Sequence, residues 1–308
     1  MAIAPIFTSP CDLATRLPVM IAEFLDIEQR LKRRFREDSI TDILVASLLS
    51  LPGKNVVVQT PPEAKTGGDF DLVVVEPVSG DAVQFRVQAK RLTPHKHDWT
   101  IGSYAELAHP HNSGVQSQTL LRALGREAIT TIPLYAFYNP AHVCAASGDT
   151  VSGIELASGW EIRERIKAIV KVKPKRLPYK RIGSLQPLFF PLSTILCAPA
   201  GSTRRSPIPL PEEARIAVVE AIETRSALAG FGQTLALPEM AVARLPRSGD
   251  IREGTPRRGS KRTGPTRDDR REGLPAIIRT ALERREERVI TAKVKRPRII
   301  LIAERELD

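Results

Sequence analysis

Three β-branched runs follow one another between Pro52 and Arg91, and they constrain the fold of this 308-residue chain more than any other feature. Val56-Val57-Val58 gives way to a polar loop ending in Gly67-Gly68, then comes Asp69-Phe70-Asp71-Leu72-Val73-Val74-Val75, and a Ser79-Gly80 turn leads into Val83 to Lys90. Such runs bounded by turn residues mark strands, so the pattern predicts a three-stranded meander. Helical patterns bracket it. Leu13, Leu17, Ile21, Leu25 and Leu31 form a broken apolar stripe from about Asp12 to Arg36. Ser39 has the place of an N-cap for a second helix, with Asp42 three positions on and Ile43, Leu44, Leu48 and Leu51 following. Downstream, a helix from about Gln116 to Glu127 leads into the apolar strand Ile132 to Tyr138, which Asn139-Pro140 stops. The order helix, strands, helix, strand predicts an α/β core, a central mixed sheet flanked by helices.

Past about residue 145 the pattern loosens. A short helix is expected near Trp160 to Val170, followed by a basic stretch in which Lys171, Lys173, Lys175, Arg176, Lys180 and Arg181 are interleaved with proline and Tyr179. An apolar segment, Leu185 to Cys197, comes next. Pro211-Glu212-Glu213 opens a helix to about Ala229, because proline at the first position and carboxylates in the first turn suit a helix start. The Arg, Gly and Pro-rich stretch 244–272 reads as a flexible linker or cationic arm. Pro275 to Arg288 reads as helix, and Val289 to Val294 with Ile299 to Ile302 as strands pairing around Lys295-Arg296-Pro297. The expected division is therefore a core with N-terminal helices over residues 1–200 and a basic C-terminal region over residues 201–308.

Lys and Arg number 46 against 35 Asp and Glu, a net charge of +11 with a sequence pI near 9.9, which favours polyanionic partners. Cys11, Cys144 and Cys197 lie too far apart for a CxxC metal pair, and any disulfide scheme leaves one thiol over. A reducing, cytoplasmic compartment is the expectation. The opening Met1-Ala2-Ile3-Ala4-Pro5 lacks the charged start and apolar run of a secretion signal, and no stretch reaches the roughly 18 apolar residues of a membrane span.

The chemistry concentrates in Gly68-Asp69-Phe70-Asp71-Leu72 on one strand and Gln88-Ala89-Lys90 on the next. Residues two apart in a strand project to one face, so Gln88 and Lys90 point together while Ala89 points away. An antiparallel partner brings Asp69 beside them. Phosphodiester hydrolysis needs a divalent cation and a positive group to stabilise phosphoryl charge, and one acid, one amide oxygen and one lysine supply those parts.

These residues resemble the PD-(D/E)XK nuclease superfamily, in the variant where glutamine replaces the last acid, as in Mrr-like type IV restriction endonucleases; Gln88-Ala89-Lys90-Arg91 fits that form. More closely, the run from Glu37 to Tyr138 is similar to an uncharacterised bacterial nuclease-like family. That family carries Glu-Asp-x-x-Thr-Asp, Thr-Gly-x-Asp, Gln-Ala-Lys-Arg-Leu and a Tyr-rich strand, here Glu37 to Asp42, Thr66 to Asp69, Gln88 to Leu92 and Pro133 to Tyr138. The similarity spans about a third to a half of the chain.

The resemblance implies a restriction-endonuclease-like core and a Mg²⁺ (or Mn²⁺) dependent endonuclease acting on DNA in restriction or phage defence. It implies Asp69 as the main metal ligand, Gln88 and the Ala89 carbonyl as further ligands, and Lys90 as the group that orients or activates water. Glu37 matches the acid such enzymes contribute from the first helix, and Gln116 a glutamine found at the start of the helix after the strands. Arg91 and the strip Lys171 to Arg181 are expected to follow a nucleic-acid backbone. The motif does not separate DNA from RNA, and a homodimer or a partner protein of a defence system both stay open.

Glutamine in place of an acid brings no charge to a cation, which keeps two alternatives: a nucleic-acid-binding module that has lost activity, and a defence effector that needs a partner. Asp71 or Glu37 would then serve as second carboxylate. His95, His97, His109 and His111 fall in one polar loop with Trp99 and Tyr104, read as a substrate-facing or solvated loop ahead of a zinc-binding set, since no cysteine lies nearby and Asp98 and Glu106 are its only acids.

Overall fold

A computed structural model describes residues 5–31, 35–62, 69–95, 98–108, 110–111, 114–122, 124, 128–148, 150–171, 180–199, 207–229 and 274–304. The chain opens with α1 (Pro10–Arg30) and α2 (Glu37–Leu49), then β1 (Val56–Thr60), β2 (Asp69–Glu76) and β3 (Asp81–Arg91). Two small ribbons follow, β4 (Thr93–His95) with β5 (Asp98–Ser103) and β6 (Pro110–His111) with β7 (Gly114–Val115). Next come α3 (Gln116–Leu121), β8 (Thr130–Tyr138), α4 (Ala141–Ala146), β9 (Ile154–Ser158), α5 (Gly159–Lys171), α6 (Ile182–Leu185), β10 (Phe190–Pro191) and α7 (Ser193–Leu196). The last described elements are α8 (Pro211–Leu228), α9 (Ala276–Glu283), β11 (Val289–Thr291) and β12 (Arg298–Ile302).

Eight strands form one mixed sheet in the order β10-β9-β8-β3-β2-β12-β1-β11. The expected α/β architecture is present, but the meander is not: β12 lies between β2 and β1, parallel to the first and antiparallel to the second. Nor do β11 and β12 pair with each other, since each takes one edge of β1. Residues after 200, expected as a separate region, thus supply strands and helices to the same core.

Helix starts follow local chemistry where the caps are local. Ser9 accepts a hydrogen bond from the Asp12 amide ahead of Pro10, which has no amide to satisfy. In α8 the Glu213 carboxylate caps the Leu210 amide at 2.9 Å. Ser39, by contrast, is not a cap: α2 begins two residues earlier at Glu37, whose carboxylate is engaged across the fold.

Alternate residues of the sheet face two layers. On one side Val56, Val58, Leu72, Val74, Phe85, Val87, Ala89, Leu134 and Ile299 pack with Leu17 and Ile21 of α1, Ile40 and Leu44 of α2, and Val218 of α8. The other side carries two separate clusters, one around Tyr135, Phe137 and Ile162 and one around Val73, Val75, Ile300 and Ile278. Between them Gln59, Asp71, Gln84, Arg86, Gln88 and Lys90 are buried on positions of the same parity. Burying so many polar groups costs free energy unless they are paired or used. No described helix is long and apolar enough to cross a membrane.

Cys11, at the start of α1, and Cys197, just after α7, are joined as a disulfide with Cα atoms 4.5 Å apart. Cys144 stands outside the disulfide.

Candidate active site

Antiparallel pairing of β2 with β3 sets Asp69 opposite Gln88 and Asp71 opposite Arg86. Parallel pairing of β3 with β8 sets Gln88 beside Tyr135 and Lys90 beside Phe137. The parallel pairs β3–β8 and β1–β11 end at this margin while the parallel pair β2–β12 begins there, so Gln88 and Lys90 lie at carboxyl ends and Asp69 at an amino end. In open α/β sheets ligands bind at the carboxyl ends of the strands.

Asp69, Gln88 and Lys90 share one face, as strand alternation requires. Gln88 and Lys90 are each 2% exposed. Gln88 hydrogen-bonds to the Asp69 carboxylate, while its own amide oxygen is buried with no hydrogen-bond partner among the described residues. Burial raises the Asp69 pKa above the ordinary carboxylate value, and the charges of Arg296 and Lys90 with the Gln88 bond oppose that rise. Tyr135 presents a buried hydroxyl with no hydrogen-bond partner among the described residues, and burial, reinforced by the Asp69 charge, holds its phenol protonated.

Glu37 fastens α2 to this margin. Its Oε1 accepts from Lys90 Nζ at 3.2 Å and its Oε2 from the Arg91 amide at 3.0 Å. Burial raises its pKa, with the Lys90 ammonium opposing. Both oxygens are thus engaged by β3. Asp38 follows it, and a cleft of about 540 Å³ lined by Phe35, Arg36, Glu37, Asp38, Thr93 and Glu106 opens beside the pair.

Asp71 does not stand as a free second carboxylate. Arg298 donates to its Oδ2 at 3.2 Å, and the Nε atoms of Arg296 and Arg86 lie 3.8 and 3.9 Å from its Oδ1. Arg86 also donates to the Leu120 and Arg122 carbonyls. Sequence reading missed Tyr135, Arg86, Arg296 and Arg298; the alternation that selected Gln88 and Lys90 also selects Arg86, but the others depend on which strands neighbour one another.

Arg91, expected to face nucleic acid, is 8% exposed and turned inward, its guanidinium 2.8 Å from the Glu28 carboxylate of α1 and bonded to the Phe35 carbonyl. A guanidinium so committed ties α1 to β3, and Arg91 also lines the cleft beside Glu37. Ala89 packs its methyl into the opposite layer, leaving only its backbone for a ligand. Gln116 opens α3, its side chain being outside the described residues. At the end of the basic strip, the Lys180 ammonium donates to the Ala105 carbonyl at 2.6 Å and Arg181 bridges to Ser103. The side chain of Lys171 and all of Lys173, Lys175, Arg176 and Tyr179 lie outside the described residues, as do His97, His109 and the side chains of His95 and His111. No group of three or more His, Cys, Asp or Glu side chains placed to hold a metal occurs among the described residues.

The model of a family of unknown function, DUF6615, matches residues 10–308, and the chain belongs to that family. No curated protein and no solved structure matches the chain.

Proposed function

We propose that this DUF6615 member is a divalent-metal-dependent endonuclease of restriction-endonuclease-like type, hydrolysing phosphodiester bonds of DNA in restriction or phage defence. One observation carries the reading: Asp69 and Gln88 are bonded cross-strand neighbours beside Lys90, with the Gln88 amide oxygen buried and unsatisfied among the described residues. A buried acceptor without a donor costs about 1–3 kcal/mol, and a cation there would satisfy it together with the desolvated Asp69 carboxylate. The donor set, a carboxylate and an amide oxygen with the Ala89 carbonyl at hand, is all oxygen, which suits Mg²⁺ or Mn²⁺.

Bound there, the cation would polarise a phosphoryl oxygen and lower the pKa of an attacking water. Lys90 places an ammonium beside the same position, where it stabilises charge growing on the phosphoryl group. Glu37 holds that ammonium in place.

Purified protein with plasmid DNA and Mg²⁺ is expected to yield nicked or linear product, and Lys90→Ala to slow cleavage by about 100-fold or more. Absence of cleavage with Mg²⁺ and Mn²⁺ on DNA and RNA, unmodified and modified, would overturn the reading. Cation binding supplies a pH test. Protons and metal compete for Asp69, whose pKa is raised, so affinity for Mn²⁺ should fall on acidification, starting at higher pH than for an ordinary carboxylate. Calorimetric titration at several pH values checks this, and Asp69→Asn should abolish the binding.

A second reading, a module that holds DNA without cutting it, is favoured by the uncharged amide at Gln88, which leaves Asp69 as the one charged oxygen donor among Asp69, Gln88 and Ala89. It predicts salt-sensitive DNA binding with no measurable Mn²⁺ uptake.

A further inference from the structure

Two guanidiniums at the start of β12 share one carboxylate. Arg296 and Arg298 both stand within 4 Å of Asp71, and the charge of Arg296 also reaches Asp69. Lys90 is matched by Glu37. A divalent cation on Asp69 would leave the pair with Asp71 alone, one positive charge in excess among these groups. Charge so enclosed demands a counter-ion, because burying it unpaired is costly.

The arginines differ in what they are free to do. Arg86 is buried and spends its guanidinium on the Leu120 and Arg122 carbonyls as well as on Asp71. Arg296 and Arg298 keep 18% and 14% of their side chains exposed, and the Arg298 Nε has no hydrogen-bond partner among the described residues. Arg296 meets Asp71 only at 3.8 Å, beyond hydrogen-bond length, so its donors are not consumed there. The backbone fixes both in place: the Asp71 amide donates to the Pro297 carbonyl at 2.9 Å, locking the Arg296-Pro297-Arg298 turn against the start of β2.

We propose that Arg296 and Arg298 form a phosphate clamp beside Asp69, seating a phosphodiester of the substrate backbone, with Asp71 as the internal anion that holds the guanidiniums apart until it arrives. The clamp rests on the nuclease reading for its substrate and gives the C-terminal strand a part in that site. Planar guanidinium forks match phosphate oxygens in paired hydrogen bonds, which a lysine cannot reproduce. The contact is to backbone phosphate and carries no base specificity.

The test is binding of a fluorescein-labelled DNA duplex by anisotropy in EDTA, where no turnover occurs, across a series of salt concentrations. Arg296→Gln, on a partly exposed side chain, should weaken binding by about tenfold and reduce the slope of log affinity against log salt by about one. Asp71→Asn should tighten binding several-fold by releasing the guanidiniums. Wild-type affinity and slope in a folded Arg296→Gln protein, weaker or unchanged binding in a folded Asp71→Asn protein, or no binding by the wild type at low salt would each overturn the clamp. Failure of the nuclease reading looks different: Arg296-dependent binding without cleavage under Mg²⁺ keeps the clamp and removes hydrolysis, whereas cleavage unchanged by Arg296→Gln keeps hydrolysis and removes the clamp.

Discussion

Glu161, in the first turn of α5, is 2% exposed, and neither of its carboxylate oxygens has a hydrogen-bond partner among the described residues. Burial pushes its pKa from 4.5 up to about 7, and the Arg165 charge opposes this only in part. An acid with a raised folded-state pKa binds its proton more tightly in the native protein. Its contribution to stability is therefore complete below pH 4.5 and is lost as pH rises through about 7. Glu161→Gln should flatten that dependence and raise stability at pH 8 by about 2 kcal/mol, read from urea unfolding at several pH values. An unaltered pH profile would show that the group is solvated in the native state. The same contrast between local and distant causes explains which site residues the sequence disclosed. Asp69, Gln88 and Lys90 follow from a period of two within short strands, which is local. The inward turn of Arg91 depends on Glu28, 63 residues away, and no spacing rule reports it.

At the level of elements, α1 and the start of β9 meet so closely that a glycine is required. A Cβ at Gly153 would come 1.9 Å from the Pro18 carbonyl oxygen and 2.9 Å from the Ala22 Cβ. Backbone cannot retreat as a flexible side chain would, so Gly153→Ala should destabilise by about 1–3 kcal/mol and lower the melting temperature. Retention of the wild-type midpoint would mean that α1 is free to shift. The individual elements were largely legible: the strands Val56 to Val58, Asp69 to Val75, Val83 to Lys90 and Ile132 to Tyr138 all occur, as do helices over most of the stretches expected. Their adjacency was not, because Val56 to Val58 of β1 and Leu72 to Val75 of β2 are apolar on both faces, and nothing in either run states that β12 separates them. A helix start such as Glu37 was displaced for a related reason, its carboxylate being fixed by Lys90 and Arg91 of β3 instead of by its own first turn.

For the whole molecule, the placement of β12 makes the last strand a condition for the fold. Ile299, Ile300, Leu301 and Ile302 are each fully buried, two facing each layer. Full burial of such a side chain contributes about 1.5–3 kcal/mol, so four together approach the 5–15 kcal/mol by which a domain is stable at all. Removing them would also bare the edges of β2 and β1 toward each other, leaving two unpaired rows of amides and carbonyls. A chain cut after Leu228 should therefore show no cooperative unfolding transition and should aggregate, although it retains Asp69, Gln88, Lys90 and Glu37. A soluble, cooperatively melting product of that cut would mean that residues 1–228 form a core without β12. Because such a cut removes Arg296 and Arg298 along with the fold, its loss of DNA binding would say nothing about the clamp. Point substitution at Arg296, which leaves the four apolar side chains of β12 in place, separates the strand's structural part from its chemical one.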